Sequence, residues 1–109
     1  MKKILMSVLA MGLISTTVHA GCNGGACSDV KIDFILVLGN GSISVGTSGT
    51  ETGLQCAASG GKYLAIPADV AGKNAMYSAL LTAQTTGKKL SLRVNDTSAA
   101  CKIRYVMSK

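Results

Sequence analysis

Apolar and polar residues alternate along five parts of this chain, a pattern typical of β-strands that bury one face. The pattern predicts strands over residues 29–38, 42–46, 62–66, 89–94 and 101–107. A Gly-Asn-Gly sequence at residues 39–41 predicts a hairpin turn, because Gly and Asn accept the left-handed backbone of tight turns. Residues 47–53 are polar and rich in glycine, so we expect a loop there.

The alternation also predicts which side chains face inward. In the first strand the inner face consists of Val30, Ile32, Phe34, Leu36 and Leu38. In the second and fourth strands it consists of Ile43, Val45, Leu90, Leu92 and Val94. In the last strand we expect Cys101, Ile103, Tyr105 and Met107 on one face, with Lys102 and Arg104 on the other.

One helix is predicted between the third and fourth strands. It begins near Lys73, with Asp69 and Asn74 as candidate N-terminal caps. An apolar stripe at helical spacing is formed by Met76, Ala79, Leu80 and Ala83. Gly87 is a favourable helix stop. Three strands, one helix and two strands give the element order of a five-stranded OB-type barrel, so the predicted fold is mainly β with one α-helix.

Residues 1–20 have the composition of a secretory signal peptide. Two lysines precede an apolar segment that is too short for a permanent membrane anchor, and small or tolerated residues precede a cleavage site after Ala20. We therefore expect a secreted or periplasmic protein whose mature part, residues 21–109, is a single OB-like domain without a transmembrane segment. A domain of this size is marginally stable on its core alone.

The mature chain carries nine basic and five acidic residues, a net charge of +4. The basic residues are scattered, as expected for a solvated surface, although a positive surface also favours anionic partners. Nucleic acid is not expected as a partner, because the chain is exported and has no basic stripe with interleaved aromatic residues.

Four cysteines lie in the mature chain: Cys22, Cys27, Cys56 and Cys101. An even number in a short exported chain predicts a disulfide framework. Flexible glycines between Cys22 and Cys27 favour a local bond, with longer-range pairings as alternatives. A second alternative is that Cys22 is a lipoprotein cysteine, which would give a lipid-anchored envelope protein.

No catalytic, metal or cofactor site is predicted. The single histidine, His19, leaves with the signal peptide, so a Ser-His-Asp triad is excluded in the mature chain. The acidic residues lie mostly in turns or at strand starts, which does not favour a pair of catalytic carboxylates. We therefore expect a protein that is not an enzyme.

The segment NAMYSALLTAQTTGKKLSLRVNDTSAACKIRYVMSK, residues 74–109, resembles a known group of small secreted bacterial proteins. These are similar to the binding (B) subunits of subtilase cytotoxin and other pertussis-like AB5 toxins. The resemblance implies an OB fold, a Cys56–Cys101 disulfide and a homopentamer. It also implies binding to cell-surface glycans, often sialylated, and delivery of a separate enzymatic A subunit.

Three residues are candidate ligand contacts. Arg93 and Arg104 point outward on strands that could be adjacent, and two guanidinium groups on one face suit a carboxylate such as that of sialic acid. The alternative is a charged sheet face that prevents edge pairing. Tyr77 on the helix is a ligand or subunit contact, or simply part of the core. The alternative function is a periplasmic or surface protein of the same fold that acts through protein contacts, without a toxin partner.

Overall fold

The computed structural model describes residues 21–95 and 99–108, which form a mainly β fold with one α-helix. The strands are β1 (Gly21–Asn23), β2 (Ala26–Val30), β3 (Ile32–Val37), β4 (Ile43–Thr47), β5 (Leu64–Ile66), β6 (Leu90–Val94) and β7 (Ile103–Met107). A 3₁₀ helix covers Glu51–Gly53 and helix α1 covers Lys73–Thr86. The predicted signal peptide and part of the turn after β6 lie outside the described residues.

The described strands form two antiparallel sheets. One has the order β1-β2-β6-β7 and the other β3-β4-β5, so a closed five-stranded barrel is not seen. Residues 26–37 enter both sheets, since only Lys31 separates β2 from β3. On the other side the sheets meet at one isolated parallel bridge between Ala65 and Lys102, where the Ala65 N–H donates to the Cys101 carbonyl at 3.1 Å.

The core consists of inward residues from both sheets and from α1. Ile43 and Val45 of β4 are buried as predicted, and Leu90, Leu92 and Val94 of β6 are buried as well. The other buried apolar residues are Cys27, Val30, Ile32, Leu54, Cys56, Leu64, Ile66, Leu80, Ala83, Cys101 and Ile103. Side chains from all parts of the described chain therefore contribute to one hydrophobic cluster.

The first predicted strand is interrupted, and its predicted inner face is wrong beyond Ile32. Ile32 pairs with Thr47, but Phe34 already pairs with Gly46, so the register shifts between Ile32 and Phe34. A bulge of this kind moves the following side chains to the opposite face. Ile35 accordingly packs against the core. Leu36 and Leu38 are 43% and 45% exposed and Val37 is 60% exposed, so the end of the strand is exposed on both faces.

Helix α1 begins at Lys73, as predicted, but without either predicted cap. Its N-cap is Gly72, which makes no side-chain capping hydrogen bond, so neither Asp69 nor Asn74 caps the helix. Instead, the Lys73 Nζ donates to the Gly41 carbonyl at 2.9 Å and ties the helix start to the β3–β4 turn.

The end of α1 follows the sequence prediction. Gly87 adopts a left-handed backbone, with φ of 73°, and its N–H donates to the Ala83 carbonyl. Leu80 and Ala83 are buried, while Met76 is half-buried against the core. The predicted apolar stripe thus fixes the side of the helix that faces the sheets.

Two disulfides are present, Cys22–Cys27 and Cys56–Cys101. Cys22 and Cys27 face each other across the β1–β2 hairpin, a pair of strands that the sequence pattern did not predict. Since the Cys22 sulfur is bonded to Cys27, it is not free for a lipid thioether in this structure. Among residues 21–95 and 99–108, no helix is both long and apolar enough to cross a membrane.

Candidate functional site

Arg93 and Arg104 lie on neighbouring strands, β6 and β7, as the sequence suggested. Arg93 pairs directly with Tyr105, and directly paired residues of antiparallel strands share one face of the sheet. The register shifts next to this pair, so that Arg104 is an extra residue on β7 beside Tyr105. All three side chains are exposed and form what we call the arginine–tyrosine cluster.

The outward position of Tyr105 differs from the sequence prediction. We expected Tyr105 and Met107 to share a face with Ile103, yet they are 47% and 44% exposed while Ile103 is buried. The reason is the register shift between Ile103 and Tyr105, which turns the rest of β7 over. A ligand candidate, Tyr105, was therefore missed because strict alternation placed it in the core.

The two arginines of the cluster have no acidic partner within the described part of the chain. The positively charged guanidinium group can donate two parallel hydrogen bonds to a carboxylate or phosphate. An exposed tyrosine offers an aromatic face and one hydroxyl next to these charges. The cluster can therefore bind an anionic group together with a less polar surface.

A groove of about 350 Å³ adjoins the cluster, between the first turns of α1 and strand β7. It is lined by Val70, Gly72, Ala75, Met76, Ala79, Arg104, Tyr105 and Val106. Two of the three α1 residues that line it, Ala75 and Ala79, are small and leave space beside Met76. A second groove of about 330 Å³ lies further along the helix, lined by Ser78, Ala79, Thr82, Ala83, Lys88, Leu90 and Ser108.

Tyr77, the third predicted ligand contact, is placed elsewhere. It is half-buried and packs against the hydrophobic core. It does not line the groove that Arg104 and Tyr105 line.

A second aromatic feature was not anticipated from the sequence. The rings of Phe34 and Tyr63 meet edge-on, with centroids 5.4 Å apart, and the Lys62 Nζ lies 5.7 Å from the Phe34 centroid. Phe34 also covers Gly46, since a Cβ at residue 46 would overlap its ring. Both aromatic residues are half-buried. Their packing against each other and against Gly46 gives them a structural role, without a ligand.

The acidic residues that the structure describes do not form a metal-binding group. Within residues 21–95 and 99–108, no three His, Cys, Asp or Glu side chains come close enough to hold an ion. Glu51 is buried, and its Oε2 accepts hydrogen bonds from the Thr47 N–H at 2.7 Å and the Thr47 hydroxyl at 2.8 Å. This carboxylate therefore holds the loop after β4 in place.

Comparison with known proteins does not add a relative. No protein-family model, curated protein or solved structure matches this chain.

Proposed function

We propose that this protein is a secreted or periplasmic glycan-binding module resembling an AB5 toxin B subunit. The observation that carries the proposal is the arginine–tyrosine cluster, Arg93, Arg104 and Tyr105, exposed on the sheet formed by β6 and β7. Two disulfides in so small a chain are compatible with an oxidising compartment.

The proposed fold is of the OB type, and the path of strand neighbours supports it. The segment of residues 26–37 acts as one bent strand whose two ends lie beside β6 and β4. From β4 the path continues to β5, then across the Ala65–Lys102 bridge to β7, and back to β6. A partly open small barrel requires such a circuit of five strands. The fewest hydrogen bonds join β5 to β7, through the single Ala65–Lys102 bridge.

The proposed ligand is an acidic sugar at the end of a surface glycan. Its carboxylate would accept paired hydrogen bonds from Arg93 or Arg104, and its apolar ring face would lie against Tyr105. A neutral sugar gains only the second of these contacts. The site should therefore discriminate between glycans by charge.

The test compares binding of sialyllactose and lactose to the oxidised mature protein by calorimetry. We expect sialyllactose to bind and Arg93→Gln or Arg104→Gln to weaken it about tenfold or more, the loss expected for a charged hydrogen bond. Lys89→Gln removes the same charge from another exposed position and should have little effect. Equal losses in all three variants, or no binding, would contradict this site.

We also propose that the module forms a homo-oligomer, a pentamer as in the toxins it resembles. Strand β3 is an edge strand whose last residues are strongly exposed, including Leu36 at 43% and Val37 at 60%. Exposed apolar edges of this kind favour pairing with another chain. Light scattering should give a mass of five subunits, reduced by Val37→Lys but not by Thr50→Lys, a change at an exposed position outside the strand.

The same apolar edge also favours the alternative function, a surface or periplasmic protein that acts through protein contacts. A monomer without sialyllactose binding would exclude the toxin-like ring and leave that alternative. A pentamer that binds sialyllactose would exclude the alternative function and justify a search for the separate enzymatic A subunit.

A further inference from the structure

We infer that the groove between α1 and β7 is a binding site for a small anionic amphiphile, an aliphatic carboxylic acid of medium chain length. This inference does not require glycan binding, although Arg104 would serve both ligands. The occupant would place its hydrocarbon chain along the helix and its carboxylate at the arginine.

The walls of the groove suit a hydrocarbon chain. Val70, Met76 and Val106 pack against the hydrophobic core, so the walls they form are fixed by the fold. Ala75 and Ala79 keep the space between them open, because their side chains end at Cβ. A volume of about 350 Å³ lies at the lower end of the range seen for sites that bind small molecules.

The composition of the walls also argues against a sugar as the occupant. A sugar carries hydroxyl groups on most of its carbons, and each hydroxyl buried against Val70, Met76 or Val106 would lose its hydrogen bonds to water. Leaving such a group without a partner opposes binding. A hydrocarbon chain gains from the same burial.

Arg104 supplies the charge that the acid requires. It lines the groove together with Tyr105, and it has no ion pair within the described part of the chain. The guanidinium can hold the carboxylate with two hydrogen bonds, and the Tyr105 hydroxyl can donate a third. Charge complementarity therefore selects the acid over an alcohol of equal chain length.

The second groove along α1 provides a built-in comparison. It has a similar volume of about 330 Å³ and walls that are also mostly apolar, but its cation is a lysine, Lys88. A lysine ammonium is a point charge that lacks the fixed fork with which a guanidinium donates two parallel hydrogen bonds to a carboxylate. The amphiphile should consequently occupy the first groove.

The experiment titrates the ¹⁵N-labelled, oxidised mature protein with decanoate below its micelle concentration, with decanol as the neutral counterpart. We expect amide shifts at Ala75, Met76 and Val106, and decanoate binding about tenfold tighter than decanol, the ratio expected for one good charged contact. Arg104→Gln should remove the preference for the acid. Lys88→Gln should preserve it.

A matched pair of filling variants tests the location. Ala75 lines only the first groove and Thr82 only the second, so Ala75→Leu should abolish decanoate binding whereas Thr82→Leu should not. Leucine is a good helix former, and unchanged circular dichroism would show that both variants keep the fold.

The inference is overturned if decanoate shifts map to the second groove, if Arg104→Gln and Lys88→Gln act equally, or if Ala75→Leu binds like the parent. Failure here is distinguishable from failure of the glycan proposal. Sialyllactose binding depends on Arg93 and should survive Ala75→Leu, while decanoate binding should survive Arg93→Gln.

Discussion

The two disulfides secure two regions that the chain brings together in different ways. Cys22–Cys27 joins residues 5 apart in the β1–β2 hairpin, while Cys56–Cys101 joins residues 45 apart beside the place where the two sheets meet. A cross-link restricts the unfolded chain more when it closes a longer loop, by about 2 kcal/mol for the short loop and about 4 kcal/mol for the long one. The sheet junction should therefore depend more on its covalent bond.

The hairpin has other means of attachment. The Gly24 N–H donates to the Gly53 carbonyl at 3.1 Å, and the Gln55 N–H donates to the Gly24 carbonyl at 2.9 Å. Gly53 also packs so closely on the Cys22 carbonyl that a side chain would not fit between them. The sheet junction therefore depends on a covalent bond across a long loop, whereas the β1–β2 hairpin depends on close backbone packing.

The largest effect is expected at the sheet junction. Replacing Cys56 and Cys101 together by alanine should lower the free energy of unfolding by about 4 kcal/mol. Urea denaturation followed by circular dichroism measures this loss. A loss no greater than that caused by removing the hairpin disulfide would contradict the comparison.

The next effect tests the close packing of the hairpin. Gly53→Ala places a Cβ against the Cys22 carbonyl, and because the obstructing atom belongs to the backbone we expect a loss of about 2–3 kcal/mol. Gly39→Ala is the matched control, since nothing lies within 4 Å of its added Cβ. Denaturation curves that coincide for the two variants would show that the close approach is unimportant.

Removal of the hairpin disulfide should have a smaller effect. Replacing Cys22 and Cys27 together by alanine is expected to cost about 2 kcal/mol, because the closed loop is short. Hydrogen exchange should accelerate for amides of β1 while those of β4 and β5 keep their relative protection. Uniform acceleration across both sheets would mean that the hairpin is not a separate unit.

The smallest loss of stability is expected in the loop after β4, which holds Glu51. Thr47→Val removes a hydroxyl that donates to Glu51 at 2.8 Å and accepts from the Gly49 N–H at 3.1 Å, a loss of about 1.5 kcal/mol. Thr85→Val is the control, since the Thr85 hydroxyl bonds only to carbonyls of its own helix. Equal stabilities of the two variants would exclude a structural role for the Thr47–Glu51 pair.

Local sequence signals predicted a large part of the fold. Gly87 ended α1 as expected because the required left-handed backbone is a property of glycine itself. The clean alternation of Leu90, Leu92 and Val94 identified β6 because the extra residues of its two register shifts lie on the partner strands, β2 and β7, and leave β6 itself uninterrupted. Such features depend on short-range geometry, which the sequence records directly.

The missed features depend on contacts between distant residues. Nothing near Phe34 or Tyr105 in the sequence marks the register shifts that reverse the faces of β3 and β7, since a register shift is visible only in the pairing of two strands that are distant in sequence or joined by a turn. The burial of Glu51 follows from the packing of its loop against the rest of the fold. Arg93 and Arg104 lie on neighbouring strands, as the sequence suggested. Tyr105 was missed as a ligand candidate because the register shift in β7 turns it outward.

The continuous segment of residues 26–37 has a consequence for the order in which the chain folds. Its second half pairs locally with β4, residue 35 with residue 45. Its first half pairs locally only with the short strand β1 and joins the rest of its sheet through β6, where residue 27 pairs with residue 92. Local pairings form faster than distant ones because less chain must be brought together. The pairing of residues 32–37 with β4 should therefore form earlier in folding than the pairing of residues 26–30 with β6. Lys31, whose N–H and carbonyl both bond to Ser48, lies between the early-folding and the late-folding part.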